Sequence, residues 1–301
     1  MFNELFKKRG LSLDRLRTLA MLKRYGTISK AAGDSDTMQS QFSRQIKELE
    51  DFFEIPLTVK KGRFAELTQS GEHLAKIAID VLSQLDYFRQ KSKNKKYTFT
   101  IGGGPAINQW VLEPIMEKIV QIRPEWSFQL ENITNQVASE KLDSLELDMV
   151  IIGKKSLSSK SARTKKIFSF NYSLYISKNL LKSLNIKKPK IDSSIPMAIF
   201  SENSLDEKLT EAYRKKGLKI NIKTKLPSLT ALTRIVKSGV CAGILPDICE
   251  NILGDDFVKI SNPIFDFMKN EFVIAWNPKI EATNPQFKEL LTFILKSCKN
   301  L

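Results

Sequence analysis

A chain of 301 residues, 42% of them hydrophobic, can bury more than one core, and at roughly 150 residues per domain it divides into two. Its 48 lysines and arginines against 33 acidic residues leave a net charge of +15. That balance excludes an acidic solvating protein and points to an anionic partner: nucleic acid, a membrane surface or a charged metabolite. The charge is uneven: +7 over residues 1–96, +13 over 154–225 and −5 over the remainder. Lysine outnumbers arginine 37 to 11, so part of the excess reflects lysine-rich usage.

No stretch approaches the roughly 18 apolar residues of a membrane helix. Met1 to Gly10 carries Lys7, Lys8 and Arg9 with no apolar run behind them, unlike a secretory signal. Cys241, Cys249 and Cys298 are odd in number and unpatterned, which argues against a disulfide scaffold and for a reducing, cytoplasmic setting. His73 stands alone, with no H-x-x-x-H, H-E-x-x-H or C-x-x-C partner, so no metal site is expected. No G-x-S-x-G elbow or phosphate loop is present, and Gly102-Gly103-Gly104 lacks the dinucleotide spacing. No catalytic residue and no cofactor is assigned, and the chain is read as a non-enzyme.

Leu13, Leu16, Leu19, Ala20 and Leu22 are spaced for a helix that Tyr25-Gly26 stops. Thr27 caps a second short helix, Ile28 to Ala32, and Gly33-Asp34-Ser35-Asp36 is a turn-rich break. A third helix carries Phe42, Ile46, Leu49 and Phe53 on one stripe, with Gln39, Gln41, Arg44 and Lys47 largely off it. Two short helices, a tight turn and a polar-faced third helix make a helix-turn-helix. Leu57 to Leu67 reads as two short strands about a basic Lys-Gly-Arg tip, a wing.

Thr68 to about Lys91 is a long helix in which Leu74, Ala78, Val81, Leu85 and Phe88 recur at 4, 3, 4, 3. That seam is expected to serve a dimer coiled coil, with packing inside its own domain as the alternative. The lysine-rich segment 91–96 reads as a solvated linker. Strands are expected at 97–101, 126–130 and 148–152, with helices at 106–122 and 136–146 between them. Further strands are expected at 167–176, 196–200, 219–225, 241–245 and 272–276, then a terminal helix over 285–298. The alternation predicts parallel sheet in an α/β domain.

Residues 12–72 resemble the LysR-type transcriptional regulators. Gly26-Thr27-Ile28-Ser29-Lys30-Ala31-Ala32 is similar to that family's first-helix signature, and Gln39 to Glu50 to its recognition helix. Ile55-Pro56-Leu57, Gly62-Arg63 and Leu67-Thr68-Gln69-Ser70-Gly71-Glu72 follow in the family's order. Downstream, Ile101-Gly102, Pro114, Arg123-Pro124, Leu147-Asp148, Ser238-Gly239 and Ile244-Leu245-Pro246 are similar to the family's effector half, so the resemblance covers nearly the whole chain.

The resemblance implies an α+β multidomain protein. A winged helix-turn-helix DNA-binding domain (1–67) precedes a dimerisation helix (68–92) and a hinge (93–96). A two-lobed α/β effector domain of periplasmic-binding-protein type follows (97–301; lobe I about 97–166 and 268–301, lobe II about 167–267). It implies a dimer, or tetramer, on double-stranded and palindromic operator DNA, regulated by a small-molecule effector. RNA polymerase is a further candidate partner, and no membrane is involved. Thr37, Met38, Gln39, Ser40, Gln41, Ser43, Arg44 and Lys47 are the candidates for the major groove, where amides and guanidinium groups read base edges. Lys60, Lys61 and Arg63 on the wing suit phosphates or a minor groove. An intrahelical pair with Glu48 is the competing role for Arg44.

Two departures from the family stand out. Ser35 and Thr37 replace apolar residues, and Met38 stands where a capping serine is usual. Asp36, three residues before Gln39, is therefore expected to cap the recognition helix, which then starts about two residues early. In the effector half, Gly104-Pro105-Ala106-Ile107-Asn108 lacks the hydroxyls that in relatives hold a ligand carboxylate. Helix N-terminal amides and Asn108 remain as donors. The expected effector is larger, flatter or less charged than a simple carboxylate, or absent, and the cleft candidates are Gly103, Gly104, Pro105, Ala106, Asn108, Gly153, Ser201, Glu202 and Thr224. Cys241 and Cys249 are eight apart in the lobe where oxidation-sensing relatives pair cysteines, but buried inert thiols are the expectation. The alternatives are a ligand-independent architectural DNA binder and, behind it, a nucleic-acid enzyme. The lysines of 154–225 form a solvated face, a DNA contact or an attractor for an anionic effector.

Overall fold

The computed structural model of the chain describes every residue except 1, 34, 62–63, 94–96, 160, 192–194, 202–204 and 301. It divides into two compact units, residues 1–95 with 143–146, and residues 96–142 with 147–301.

In the first unit α1 (Asn3–Lys7) precedes α2 (Leu13–Tyr25), α3 (Ile28–Ala32) and α4 (Asp36–Phe53). Helices α2 to α4 each start behind a hydroxyl: Ser12 accepts from the Arg15 amide, Thr27 from Lys30 and Ser35 from Met38. Gly26 and Gly33 end α2 and α3 in the left-handed conformation that a side chain disfavours. The cap of α4 corrects the expectation. Ser35, not Asp36, supplies the oxygen, and Asp36 is the first helical residue, where its charge meets the positive end of the helix dipole. Met38 at the third helical position has no oxygen with which to complete a capping box.

Strands β1 (Thr58–Lys61) and β2 (Phe64–Leu67) pair antiparallel, Thr58 with Leu67 through Lys61 with Phe64. The Gly62-Arg63 tip lies outside the described residues. Helix α5 (Gln69–Lys93) follows, continuing through part of the segment expected as linker; the rest of the expected hinge, 94–96, is outside the described residues. Leu19, Leu22, Ile46, Leu49, Leu57 and Ala75 form the core, with Ala31, Ala32 and Phe42 in a smaller cluster. Each buried leucine or isoleucine contributes about 1.5–3 kcal/mol over its exposed state. The expected seam of α5 breaks in the middle. Ala75 and Ala78 are fully buried, in a helix that packs on α2, whereas Val81, Leu85 and Phe88 are exposed together with Ile77.

The second unit holds two five-stranded sheets among the described residues. Its elements begin with β3 (Tyr97–Gly103), α6 (Pro105–Ile107), a π turn (Asn108–Leu112), α7 (Glu113–Ile122), β4 (Trp126–Asn132), α8 (Asn135–Asp143), β5 (Met149–Gly153) and β6 (Arg163–Phe170). The middle stretch is β7 (Tyr172–Ser177), α9 (Lys178–Ser183), β8 (Pro196–Phe200), α10 (Leu205–Lys215), β9 (Asn221–Leu226), α11 (Leu229–Lys237), β10 (Ala242–Pro246), α12 (Glu250–Leu253) and β11 (Phe257–Ser261). Strand β12 (Asn270–Trp276), α13 (Pro278–Thr283) and α14 (Phe287–Ser297) complete it.

The first sheet has the order β4-β3-β5-β12-β6 and the second β11-β7-β10-β8-β9. Strands β4, β3 and β5 are parallel, as are β9, β8 and β10; β12 and β7 run antiparallel to their neighbours. The single strand expected over 167–176 is two strands in two sheets, parted at Asn171, so the first crossing between lobes lies at 171 and not at 166–167. The chain returns through a 3-10 turn (Pro263–Met268) whose Ile264, Phe265 and Met268 are buried in the second lobe's core.

Gly71 shows how tightly the first unit is wound. A Cβ there would stand 2.0 Å from the Leu57 carbonyl oxygen, a backbone atom with nowhere to move. Gly71→Ala is expected to destabilise this unit by about 3 kcal/mol, the upper end for overpacking. Urea denaturation followed by circular dichroism measures it, and an unchanged midpoint would contradict the packing.

Candidate DNA-reading face and effector cleft

On α4 the apolar stripe turns Phe42, Ile46 and Leu49 inward. The opposite face therefore exposes Thr37, Met38, Ser40, Gln41, Ser43, Arg44 and Lys47, while Gln39 is half-buried. Residues 37, 41, 44 and 47 succeed one another three or four apart, with 40 three after 37 and four before 44, and form one strip. Arg44 does pair with Glu48, at 3.7 Å, but its side chain remains 75% exposed, and Glu48 is shared with Arg15 of α2. Lys47 pairs with Asp51 at 3.2 Å. Exposed pairs of this kind are worth only about 0.3–0.5 kcal/mol, so both cations are readily redirected to DNA.

The wing is fixed to this helix through Glu50. Its carboxylate accepts from the Leu57 and Thr58 amides, each at 2.9 Å, and from the Thr58 hydroxyl at 3.0 Å. Lys60 and Lys61 are exposed on β1, Lys61 pairing with Glu66 at 3.0 Å; Arg63 is outside the described residues.

In the second unit most of the cleft candidates lie at the C-terminal ends of parallel strands. Gly103, Gly104, Pro105 and Ala106 follow β3, Gly153 ends β5, and Ser201 follows β8 with its amide on the Leu226 carbonyl. Glu202 is outside the described residues. Thr224 is not at the rim: it sits within edge strand β9, paired with Ala198, two residues before the strand ends. Asn108 is buried and does not reach out as a free donor. Its Nδ2 donates to the Glu131 carbonyl at 3.1 Å and to Asn132 Oδ1 at 2.9 Å, while its own Oδ1 has no partner and lies 2.5 Å from where a Cβ on Gly103 would be. At Gly153 a Cβ would meet the Asn270 amide at 2.6 Å. Both glycines are therefore places of close side-chain approach.

Other groups escaped the sequence reading because their partners are remote in the chain. Glu271 takes Lys154 at 3.1 Å and Lys166 at 2.6 Å, and these cations, Lys166 foremost, hold its carboxyl below the usual range. On the second lobe Ser173 donates to Asp247 and meets Ser261, both at 3.1 Å, and Lys259 joins Asp247 to Glu250. Trp110, on the π turn, is buried in the apolar cluster of Leu232, Val236, Leu245 and Leu253, against which Ala106 also packs. An apolar bridge thus joins the first lobe's helix to the second lobe.

The thiols are closed off. Cys249 is fully buried, and burial pushes it up to about 12. Burial also raises Cys298, to about 11, and Cys241. Among the described residues no group of three or more histidine, cysteine or acidic side chains could hold a metal, and no helix is long and apolar enough to cross a membrane.

Residues 13–72 match the family described as bacterial regulatory helix-turn-helix protein, lysR family, and residues 92–299 match the LysR substrate binding domain. The HTH-type transcriptional regulator DgdR of Burkholderia cepacia is 37% identical over 78 residues, 26% of each chain. A probable nitrogen assimilation transcriptional activator of Synechococcus elongatus is 23% identical over 250 residues, 78% of this chain and 79% of its own. The match thus spans about a quarter of DgdR, and 47% of the probable cat1 operon activator of Acinetobacter lwoffii. Among solved structures a full-length OxyR variant of Pseudomonas aeruginosa is similar, with TM-score 0.55, 19% identity and coverage of 96% of this chain and 95% of that one. CrgA of Neisseria meningitidis gives 0.55 at 17% identity, covering 96% and 99%. At these identities the likeness is one of fold.

Because only the thiolate form attacks peroxides and disulfides, the three cysteines are expected to be inert in the native chain. Ellman's reagent should label none before denaturation and all three after it, and hydrogen peroxide should leave DNA affinity unaltered. Rapid native labelling of one thiol would contradict this.

Proposed function

Since the chain belongs to the LysR family of transcriptional regulators, we propose that α4 enters the major groove, with Gln41 and Arg44 reading base edges and Lys60 and Lys61 holding flanking phosphates. The observation that carries this is the uninterrupted exposed strip Thr37–Ser40–Gln41–Arg44–Lys47, joined through Glu50 to a basic wing. Amide and guanidinium groups confer base choice, whereas wing lysines confer affinity without sequence. The chain's relatives are transcriptional regulators and not enzymes, and binding without catalysis is the role these residues suit.

Self-association through α5 is the second part of the proposal. Ile77, Val81, Leu85 and Phe88 are 47%, 37%, 48% and 66% exposed, an apolar stripe of about three turns that water does not favour. Pairing two copies of this helix would bring two α4 helices to one duplex, which suits a palindromic site.

For the effector domain the reading is a response to a small molecule in the cleft, of apolar and planar character. The missing hydroxyls at 104–106, the commitment of Asn108 to Asn132 and the burial of Trp110 across the cleft all favour that chemistry over a simple carboxylate. The Trp110 bridge also favours a second reading, in which the lobes stay closed and the protein regulates without an effector.

Two measurements test the proposal. In fluorescence anisotropy on the chain's footprinted site, Arg44→Ala should cost about 1–3 kcal/mol on that site and little on random DNA, whereas Lys60→Gln with Lys61→Gln should weaken both and lower the salt slope by about 2. Equal losses on both sequences from Arg44→Ala would overturn base reading by α4. In light scattering, Val81→Asp with Phe88→Asp should convert the oligomer to monomer, and retention of the oligomer would remove α5 as the interface.

A further inference from the structure

Residues 171–225 of the second lobe hold 12 basic residues against 5 acidic ones, and the fold gathers part of that charge at one end. Strands β8, β9 and β10 are parallel, so if their C-terminal ends face the cleft, their N-terminal ends form the opposite pole. Residues 184–191 follow α9 on the way to β8, and 216–220 lie at that pole between α10 and β9. The two segments enter neighbouring strands side by side, since Pro196 and Asn221 are register partners.

Each segment is locked by a helix end. Asn185 takes a left-handed conformation and the Ile186 amide bonds the Leu181 carbonyl at 2.9 Å; Gly217 does the same after α10, with the Leu218 amide on Tyr213 at 3.0 Å. Ile186, Ile191, Leu218 and Ile220 then pack onto the lobe core. The residues between them, Lys187, Lys188, Lys190, Lys216 and Lys219, are all exposed.

Helix dipoles account for Lys216 at most, and not for the other four. Lys182, Arg214 and Lys215 lie in last turns, where a cation is favourable, and Lys215 also pairs with Glu211. Lys187, Lys188, Lys190 and Lys219 lie beyond the caps, Lys216 stands at the end of α10, and none of the five has an ion-pair partner among the described residues. No acidic residue occurs from 149 to 191 or from 212 to 246. An adjoining cavity of about 380 Å³ carries Lys178 and Lys237 on its wall beside Asp256, extending the same end of the lobe.

We propose that this pole is a second DNA contact, resting on the backbone of duplex that flanks the sequence read by α4. The inference rests on the DNA-binding reading above. A duplex fits this surface better than a small anion does, because the five lysines are exposed and distributed along two segments. Lysines are point charges without the planar fork of arginine, which suits phosphates and not base edges. Neutralising phosphates releases counterions, and that release supplies the affinity.

The test uses the full chain and random-sequence duplexes of 20 and 60 base pairs, with affinity followed by anisotropy from 50 to 300 mM NaCl. A variant carrying glutamine at all five positions (K187Q, K188Q, K190Q, K216Q and K219Q) is compared with wild type and with the wing variant K60Q/K61Q. Wild type should show a steeper salt slope on the longer duplex. The five-fold variant should lose that increment, about 0.9 in slope per lost phosphate contact, and bind the 60-mer more than tenfold more weakly at low salt. Its thermal midpoint and its affinity for the 20-mer should not change. An unaltered slope on the 60-mer, with binding still sensitive to the wing, overturns the pole alone and leaves it a solvated face. An unaltered slope with loss of transcriptional output would assign the pole to an acidic protein and equally overturn the DNA contact. A wild-type chain that binds neither duplex overturns the DNA reading and the pole with it.

Discussion

The first unit is organised around one buried residue, Leu57, between an exposed Pro56 and a half-buried Thr58. Leu57 has no exposed surface, yet its amide and that of Thr58 must be satisfied, and Glu50 from α4 accepts both. The Leu57 carbonyl accepts from Thr68, whose hydroxyl donates to Pro56 and caps α5 through the Gly71 amide. Three elements meet here: the recognition helix, the root of the wing and the start of α5. Leaving either amide unpaired in this setting would cost about 1–3 kcal/mol. The greater consequence is geometric. A helix that reads bases and a wing that holds phosphates act as one surface only if their separation is fixed, and Glu50 fixes it within one turn of the helix end.

How much of this was legible depended on whether the determining contact was local. The helix ends at Gly26 and Gly33 and the strand at 196–200 could be read directly, because a glycine cap and a short apolar run bounded by polar residues act within a few positions. The cap of α4 was misplaced by one residue since Ser35 and Asp36 are both good caps, and only the backbone decides which one is non-helical. The run from Ile167 to Ile176 reads as a single strand because apolar residues line both halves. Nothing local records that the chain changes sheets at Asn171. Strand β11 was missed for a related reason: as an outer strand it is half-exposed and alternates weakly. The seam on α5 was legible as spacing but not as burial, since Ala75 and Ala78 are covered by α2, a partner fifty residues away. The site showed the same division. The polar strip of α4 is a property of one helix, whereas Glu271 with Lys154 and Lys166, or Ser173 with Asp247 and Ser261, exists only after strands distant in sequence have paired.

The cleft follows from the same satisfaction of polar groups. Lys154 and Lys166 share the single charge of Glu271, Lys259 lies between Asp247 and Glu250, and the amide hydrogens of Asn108 are spent on Glu131 and Asn132. A small carboxylate that approaches Lys259 competes with Asp247 and Glu250 for it, and that exchange returns little net free energy. Pro105 removes a further donor, since it has no amide hydrogen where a helix N-terminus would offer one.

What remains to be exchanged is apolar surface. Trp110 and Ala106 lie against the second lobe in a cluster with Leu232 and Val236, and an aromatic side chain of that size buries a large apolar area there. A ligand shifts the lobes only by its differential affinity for two arrangements. One that moves Trp110 must therefore supply comparable apolar area in its place, and a flat hydrophobic molecule does so where a hydrated anion does not. The tryptophan leaves its helix at the π turn Asn108–Leu112, a rare irregularity that is frequently found at functional sites, so the element that bridges the lobes is also the one that departs from regular helix.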